Sequence, residues 1–468
     1  ILILFNQFKR YSIMALQGQL LKDRKLWKVF LIFLLPLIAT NILQNLSGTI
    51  NTIFVGQMMG VDAVAAVAVF FPILFCLLAF IIGLSAGCTV LIGQAWGAKN
   101  LEKLYSIVGS TLFMTLIGSM VIAIAGVTFT QPLLQLLGTD PKVMHLSLPY
   151  VQWMLAGSPI LFIYIIYTSI LRGVGDSVTP LIALGLTSVI GLIVTPILIQ
   201  GKFGFPKLGI IAPAIATYIG YSCVLLFLFM YLKHKQHPLQ MNRTLFRHIR
   251  HHPQMSKLIL KMGVPTGVQM LTTSIAGLVI IGMVNRFGAE ATAAYGAVNQ
   301  VLNYVQFPAM SIGIAASIFA AQAIGANQIE LVRKVTRTAL IMNLLLTGAL
   351  ITLGYLGAKS LMALFITDAH VVALGQELLF IVLWSLLFFG ASAVFAAIMR
   401  ASGTVIAPML INMFAILVIE IPLAYAFSHL WGLKGIWIGY AVAFVSLFFL
   451  QAAYYQFVWK KKSIQRLI

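Results

Sequence analysis

The sequence predicts an all-α integral membrane protein of twelve transmembrane helices, built as two six-helix repeats related by a pseudo-two-fold axis along the membrane normal. Three observations carry that expectation: composition, the sidedness of the basic residues, and an internal repeat. Of 468 residues, 61% are hydrophobic and 9% charged, and the mean hydropathy is +1.01. A soluble domain carries roughly 45–50% apolar and about 25% charged residues. A soluble enzyme, a disordered chain and a disulfide scaffold are therefore excluded. Cys76, Cys88 and Cys223 lie in apolar runs with neither metal-ligand nor CxxC spacing, which reads as small apolar packing.

A helix crosses the hydrocarbon core with about 20 apolar residues. Cut at its charged and Gly/Pro/Asn-rich connectors, the chain yields twelve such stretches. In the first half they are 28–56, 63–93, 104–130, 147–171, 178–200 and 209–232. In the second half they are 258–286, 291–323, 337–358, 374–399, 405–428 and 434–458. Apolar runs of this length lack the two-residue alternation of an outer-membrane barrel, so the spans are helices.

The charge balance tests the count. There are 30 Lys and Arg against 10 Asp and Glu, a net charge of +20, which in a soluble protein points to nucleic acid. With both termini in the cytoplasm, the outer segments hold only Lys142, Lys202, Lys207, Arg286, Lys359 and Lys434, and the other 24 of the 30 lie in inner segments. That is the positive-inside rule obeyed by an even number of spans. The charge reads as a topology signal, and no nucleic-acid partner is expected.

The flanking segments follow. Residues 1–27 form a cytoplasmic or interfacial amino-terminal segment, with 11–30 reading as an amphipathic stretch that leads into the first span. The opening Ile1-Leu2-Ile3-Leu4-Phe5 is too short for a signal-peptide core and has no basic start before it. Met14 is a possible alternative start. The lobes are 28–232 and 258–459, joined by a cytoplasmic linker at 233–257, and 460–468 is a basic cytoplasmic tail. The linker histidines (His234, His237, His248, His251 and His252) lack ligand spacing, and the linker reads as solvated.

The two halves match each other. Pro36 lies 229 residues before Pro265, and Gly48 the same distance before Gly277. The offset is then 228. Asp62-Ala63 faces Glu290-Ala291, and Gln94-Ala95-Trp96-Gly97-Ala98 faces Gln322-Ala323-Ile324-Gly325-Ala326. Arg172-Gly173-Val174-Gly175 with Pro180 faces Arg400-Ala401-Ser402-Gly403 with Pro408. Near the end of each half the offset is 226, with Pro196 facing Pro422 and Gly209 facing Gly435. Because each half has an even number of spans, both enter the membrane in the same orientation. Repeats of that kind place a substrate site between them near the midplane.

At these motifs the chain resembles the multidrug and toxic compound extrusion (MATE) transporters. The resemblance rests on Pro36 with Phe54-Val55-Gly56, on Gly93-Gln94-Ala95-Trp96-Gly97-Ala98, and on Leu171-Arg172-Gly173-Val174-Gly175-Asp176 with Thr179-Pro180. It continues through Phe205-Pro206-Lys207-Leu208-Gly209-Ile210, Ala214-Ile215-Ala216-Thr217, Ile421-Pro422-Leu423-Ala424-Tyr425 and Gly432-Leu433-Lys434-Gly435-Ile436-Trp437. It spans the chain from about Leu26 to Trp459. It implies a V-shaped, twelve-helix antiporter that exports organic, often cationic and aromatic compounds against H+ or Na+ inflow. Family members often carry Asp in the first helix where Asn51 stands, and Asn and Asp in the fifth where Gly191 and Thr195 stand. Of that cation site only Thr217 is matched. The subgroup with a carboxy-terminal site carries Glu and Asp at positions that correspond to Thr273 and Phe389.

The remaining acids sort by topology. Asp23, Glu102, Asp176 and Glu330 fall in inner segments, and Asp62, Asp140, Glu290, Asp368 and Glu377 in or near outer ones. Glu420 alone lies well inside an apolar run. A carboxylate at mid-membrane costs about 2.5–3.5 kcal/mol on insertion scales and normally faces a cavity or a partner. In that setting it can take and release a proton during a transport cycle. Pro422 removes a backbone donor nearby and predicts a break in the helix. Glu420 is thus the candidate for binding the coupling cation or the positive end of a substrate, against a structural hydrogen bond as the plainer reading. Asn51 and Thr217 complete the ion-coupling set.

Two amide-rich faces come next. Asn41, Gln44, Asn45, Gly48 and Asn51 recur at three- and four-residue spacing in the first helix. Asn299, Asn303 and Gln306 do so in the eighth, and Gln269, Thr272 and Thr273 add a polar turn to the seventh. Such groups either hold helices together or line a substrate cleft. Phe71, Tyr164, Tyr167, Tyr295, Tyr304, Phe307 and Trp384 offer faces to an organic cation or simply pack. No nucleophile–base pair, phosphate loop or metal cluster supports an enzyme.

The sequence is read as a monomeric, cofactor-free secondary exporter of small organic molecules in the inner or plasma membrane, surrounded by lipid. H+ coupling through Glu420 is favoured over Na+ coupling. The rivals are a lipid-linked precursor flippase and an intramembrane enzyme or receptor. The lack of Arg and Lys mid-span weighs against the first, and the internal repeat against the second.

Overall fold

A computed structural model describes residues 26–250 and 252–468. The expected segment 1–27 lies almost wholly outside them. Among the described residues, eleven helices are long and apolar enough to cross a membrane, and a bent pair makes a twelfth span. In order the spans are Leu26–Met59, Asp62–Gly97, Leu101–Leu136, the pair Val143–Ala156 and Ser158–Gly173, Val178–Gln200, Gly209–His234, Pro253–Asn285, Ala289–Gly325, Ile329–Leu356, Ala369–Ala401, Ile406–Trp431 and Leu433–Lys461.

Most expected boundaries differ by a few residues, and two differences have a clear cause. The ninth span begins at Ile329 rather than 337. Arg333, Lys334 and Arg337 lie inside its first turns, because long basic side chains are good helix formers whose stems lie along apolar surface. The fourth span bends by 46°. Its break is at Gly157-Ser158-Pro159: Pro159 donates no backbone hydrogen bond, and a Cβ on Gly157 would run into the Tyr218 ring. The Tyr218 hydroxyl donates to the Met154 carbonyl at 2.5 Å, which fixes the bend against the sixth span.

The chain forms two compact units. Of the described residues, one contains those up to Ile38, Gly93–Lys99 and those from Pro265 to Ile468, and the other Ala39–Ile92 and Asn100–Val264. A cut at 233–257 therefore does not follow the packing. The stretch 93–99, which belongs to the first repeat by sequence, packs with the second.

In the unit centred on 100–264, the third span packs on the fourth and the fifth on the sixth. The expected solvated linker is docked instead. It carries a short helix Arg243–His248, Leu239 and Leu245 are fully buried, and the Tyr167 hydroxyl donates to the Leu239 carbonyl at 2.9 Å. Two leucines among histidines and basic residues give no periodic apolar signal, although burying them is favourable. Asp176 caps the fifth span, accepting from the Thr179 amide at 2.9 Å and the Thr179 hydroxyl at 2.6 Å.

In the unit centred on 265–468, the eighth span is the axis, packed on the ninth and tenth. Its side chains are mostly small, and Ala315, Ala316, Ala320, Ala321 and Ala323 are fully buried. Small residues let helix backbones approach closely. Phe319 anchors the beginning of the first span, its ring centroid lying 4.8 Å from Phe30 and 5.3 Å from Phe33. At the far end of the eighth span, Gly325 meets the Gln94 carbonyl, and Gly97 meets the Gln322 carbonyl. Neither glycine has room for a Cβ, so the two repeat-equivalent helix ends touch backbone to backbone.

Candidate functional site

Glu420 lies in the eleventh span, where the backbone widens into a π-turn over Ala415–Glu420 before resuming as α-helix at Ile421–Trp431. The expected break at Pro422 is present in this form. A proline inside a helix removes one hydrogen bond and presses on the carbonyl four residues back, and a π-turn supplies the slack, commonly at functional sites. Glu420 is 6% exposed. Among the described acidic residues only Glu420 and Asp176 are buried, and Asp176 is occupied as a helix cap.

One member of an aromatic cluster lies near the carboxyl. Tyr440 of the twelfth span stands within electrostatic range of Glu420. The Tyr440 hydroxyl lies 3.5 Å from that of Tyr295 in the eighth span. Trp437 is fully buried between them, with ring centroids 5.4 Å from Tyr295 and 5.6 Å from Tyr440. Its indole N–H has no hydrogen-bond partner among the described residues. Phe444 and Phe389, 5.1 Å apart, continue the cluster. A carboxyl near tyrosine hydroxyls and ring faces can hold a proton, or an organic cation through charge and cation–π attraction.

Tyr295 was legible as an aromatic candidate, and Trp437 as part of a motif. Tyr440 was missed. Its signal is helical spacing, because Trp437, Tyr440 and Phe444 share one face at three- and four-residue intervals.

Three members of the amide and threonine faces bond within their own helices. Asn45 donates to the Asn41 carbonyl at 3.0 Å, and Asn299 to the Tyr295 carbonyl at 3.0 Å, each one turn back in its own helix. Thr273 donates to the Gln269 carbonyl at 3.0 Å. Asn41, Asn45, Gln269, Asn299, Asn303 and Gln306 are half-buried, while Gln44 and Thr273 are exposed. Through its bond to the Tyr295 carbonyl, Asn299 is the amide that adjoins this aromatic cluster. Asn51 is half-buried, and the Thr217 hydroxyl is spent on the Pro213 carbonyl at 2.7 Å. Asn51 and Thr217 are not hydrogen-bonded to each other. Among the aromatics, Tyr164 and Tyr167 are buried, and Phe71, Tyr304 and Trp384 are exposed. No group of three or more metal-ligating side chains occurs among the described residues.

Other polar residues bond between helices. Ser47 and Ser188 pair at 2.6 Å between the first and fifth spans. Asn343 of the ninth donates to the Leu387 carbonyl of the tenth at 3.0 Å and accepts from Thr347 at 3.0 Å. Gln451 of the twelfth donates to the Pro408 carbonyl of the eleventh at 3.1 Å. Single polar residues in apolar runs gave no pattern to read.

Comparison with known proteins places these features in context. The MatE family model matches residues 36–197 and again 265–426, the same two stretches that the internal repeat marks. The chain is 44% identical over 444 residues to a probable multidrug resistance protein of Bacillus subtilis, YoeA, covering 94% of this chain and 96% of that protein. It is 28% identical to an FAD transporter of Shewanella oneidensis, covering 82% and 84%. In three dimensions it matches the crystal structure of the Vibrio cholerae MATE transporter VcmN with a TM-score of 0.85 and 22% identity, covering 96% of this chain and 99% of that one.

Proposed function

The chain belongs to the MatE family, and we propose that it is a multidrug exporter that couples the exit of small organic cations to H+ entry through Glu420. The observation that carries the coupling is the placement of Glu420: a buried carboxyl at a helix break, within electrostatic range of Tyr440, whose hydroxyl lies beside that of Tyr295. In its charged form it attracts the positive end of a bound compound. A proton arriving from outside neutralises it, and the compound leaves. The protonated site then turns inward and loses its proton to the cytoplasm. One proton replaces one positive charge, so the carboxyl never stays buried, charged and unpaired. Asn299 and the half-buried amides Asn303 and Gln306 supply adaptable hydrogen bonding beside it, and Asn51 with Thr217 offers a second, uncharged polar position.

An organic cation suits the spans better than a polyanion. Arg172 and Arg400 lie in the last turns of their helices, not mid-span. A dinucleotide cargo, as the name of the Shewanella relative describes, would need cationic partners for its two phosphates. The exporter works as a monomer in the plasma membrane, with both ends in the cytoplasm.

The test is purified protein in liposomes containing a pH-sensitive dye, to which ethidium or a fluoroquinolone is added. Compound-evoked proton movement that disappears in Glu420→Gln is the expected result. Movement that survives the substitution overturns the role of Glu420, and movement that requires Na+ overturns H+ coupling.

A further inference from the structure

The segment after the twelfth span does not trail into solvent. The Leu467 backbone N–H donates to the Gln94 side-chain oxygen at 2.8 Å, and the Gln94 side-chain nitrogen donates to the Ala401 carbonyl at 2.8 Å. Gln94 is fully buried. One amide therefore joins three chain segments: the end of the second span, the end of the tenth, and the 462–468 strap. The Leu467 side chain fills the space beside Gly403, where an added Cβ would come within 2.6 Å of it. Gly403 has φ +87°, so that seat is already reserved for glycine. The root of the strap is held as well. The Trp459 indole donates to the Ser402 hydroxyl at 2.8 Å, and its ring stacks on Tyr455 at 4.9 Å.

Leu467 lies 228 positions after Leu239, the same offset that relates Gly403 to Gly175 and Arg400 to Arg172. The turns at Gly175 and Gly403 have identical bonding. Gly175 donates to Arg172 and Asp176 to Leu171, and likewise Gly403 to Arg400 and Thr404 to Met399, at 2.9 and 3.0 Å in each case. Leu239 is the fully buried leucine of the docked linker. The first half buries Leu239 in its linker, and the second seats Leu467 beside Gly403. In the second half the leucine's backbone is tied to the first repeat's helix end, through Gln94, beside the crossing of Gly97 and Gly325.

We propose that Gln94 and the Leu467 strap form an inner latch that holds the second span's end against the tenth and must release each time the transporter opens inward. The latch rests on the exporter reading, since it has a task only in a chain that alternates. The Gln94 amide satisfies both of its partners at once, so release leaves two buried groups unpaired, and the closed state is favoured until cargo or proton binding offsets that loss.

The test is a Gln94→Cys, Leu467→Cys double variant in a background of Cys76→Ser, Cys88→Ala and Cys223→Ser, treated in liposomes with a short bis-methanethiosulfonate cross-linker. Wild-type protein must transport in the same assay, and its failure would count against the exporter reading rather than the latch. Cross-linking is expected to cut transport to below about a tenth, with recovery on reduction. Full cross-linking with unchanged transport overturns the latch, and so does failure to cross-link at all. A second variant pair avoids the cross-link. In Ala95→Cys, Leu467→Glu should raise the rate of reaction with an aqueous maleimide roughly tenfold, the effect of losing about one hydrogen bond to a buried group, while Leu467→Met leaves it unchanged. Equal rates in all three overturn the proposal.

Discussion

The fifth and eleventh spans occupy equivalent places in the two repeats, and each carries a proline, Pro196 and Pro422. The fifth is unbroken α-helix from Val178 to Gln200, with Pro196 inside it. The eleventh opens into a π-turn just before Pro422. Proline alone therefore does not open the helix. Two other things differ. The eleventh has two residues fewer between its prolines (Pro408 to Pro422, against Pro180 to Pro196), and it has Glu420 where the fifth, at an offset of 226, has half-buried Val194. The fold keeps one repeat as scaffold and places the buried mid-span charge in the other.

The largest effect should come from moving that charge. Glu420→Gln is expected to reduce proton-coupled transport at least about a hundredfold, equivalent to roughly 2.7 kcal/mol or more, measured as initial flux in liposomes. Val194→Glu in the same background should not restore it. Restoration would mean that the repeats are interchangeable and would break the asymmetry.

The helix crossing comes next. Gly325→Leu is expected to lower stability by about 1–3 kcal/mol, as overpacking does, read as a fall in melting temperature in detergent. Gly277→Leu, in the open space of the seventh span, should change it little.

A smaller contrast lies between the third and ninth spans. Asn343 clamps the tenth span through the Leu387 carbonyl. The equivalent residue of the first half is Thr115, buried with its hydroxyl unpartnered among the described residues. Asn343→Leu should cost about 1–3 kcal/mol, because it strands buried partners, whereas Thr115→Val should be neutral or stabilising. Parallel unfolding curves would distinguish them.

The smallest effect concerns the docked linker. Burial holds the His237 imidazole below the ordinary histidine range. The Asp176 carboxylate pulls against this, and Lys235 adds to the lowering. Because the folded state favours the neutral ring, its contribution is present above the unfolded value of about 6.5 and lost as pH falls through the folded value. Linker amides should therefore lose protection, relative to the intrinsic exchange rate at each pH, as pH falls, read by hydrogen exchange, and His237→Asn should remove that dependence.

The parts of this fold that were legible in sequence are those set by gross composition and by spacing: twelve spans, the sidedness of charge, the repeat through Pro36 and Pro265, and Glu420 as a charge in the wrong solvent. What was not legible depends on which side of a helix faces which neighbour. The spans are apolar on nearly every side, so no polar face marks the buried one. That is why Tyr440 was passed over and why Asn45 and Asn299, bonded within their own helices, looked equally like glue. The docking of Leu239 and Leu467 was hidden for the opposite reason: each lies in a short, mostly polar segment outside the spans, where no helical periodicity marks a buried side chain.

The crossing of the second and eighth spans is reciprocal. Gly97 receives the carbonyl of Gln322, and Gly325 receives that of Gln94. Reciprocity of this kind is what a two-fold axis demands when two identical chains pair, residue i meeting residue j and j meeting i. Two half-length chains carrying the Gln-Ala-X-Gly end could make the same contact without altering a residue. When such a chain is doubled in one gene, the join comes ready-made and either copy is free to change elsewhere. One copy can take on a charge while the other keeps its shape.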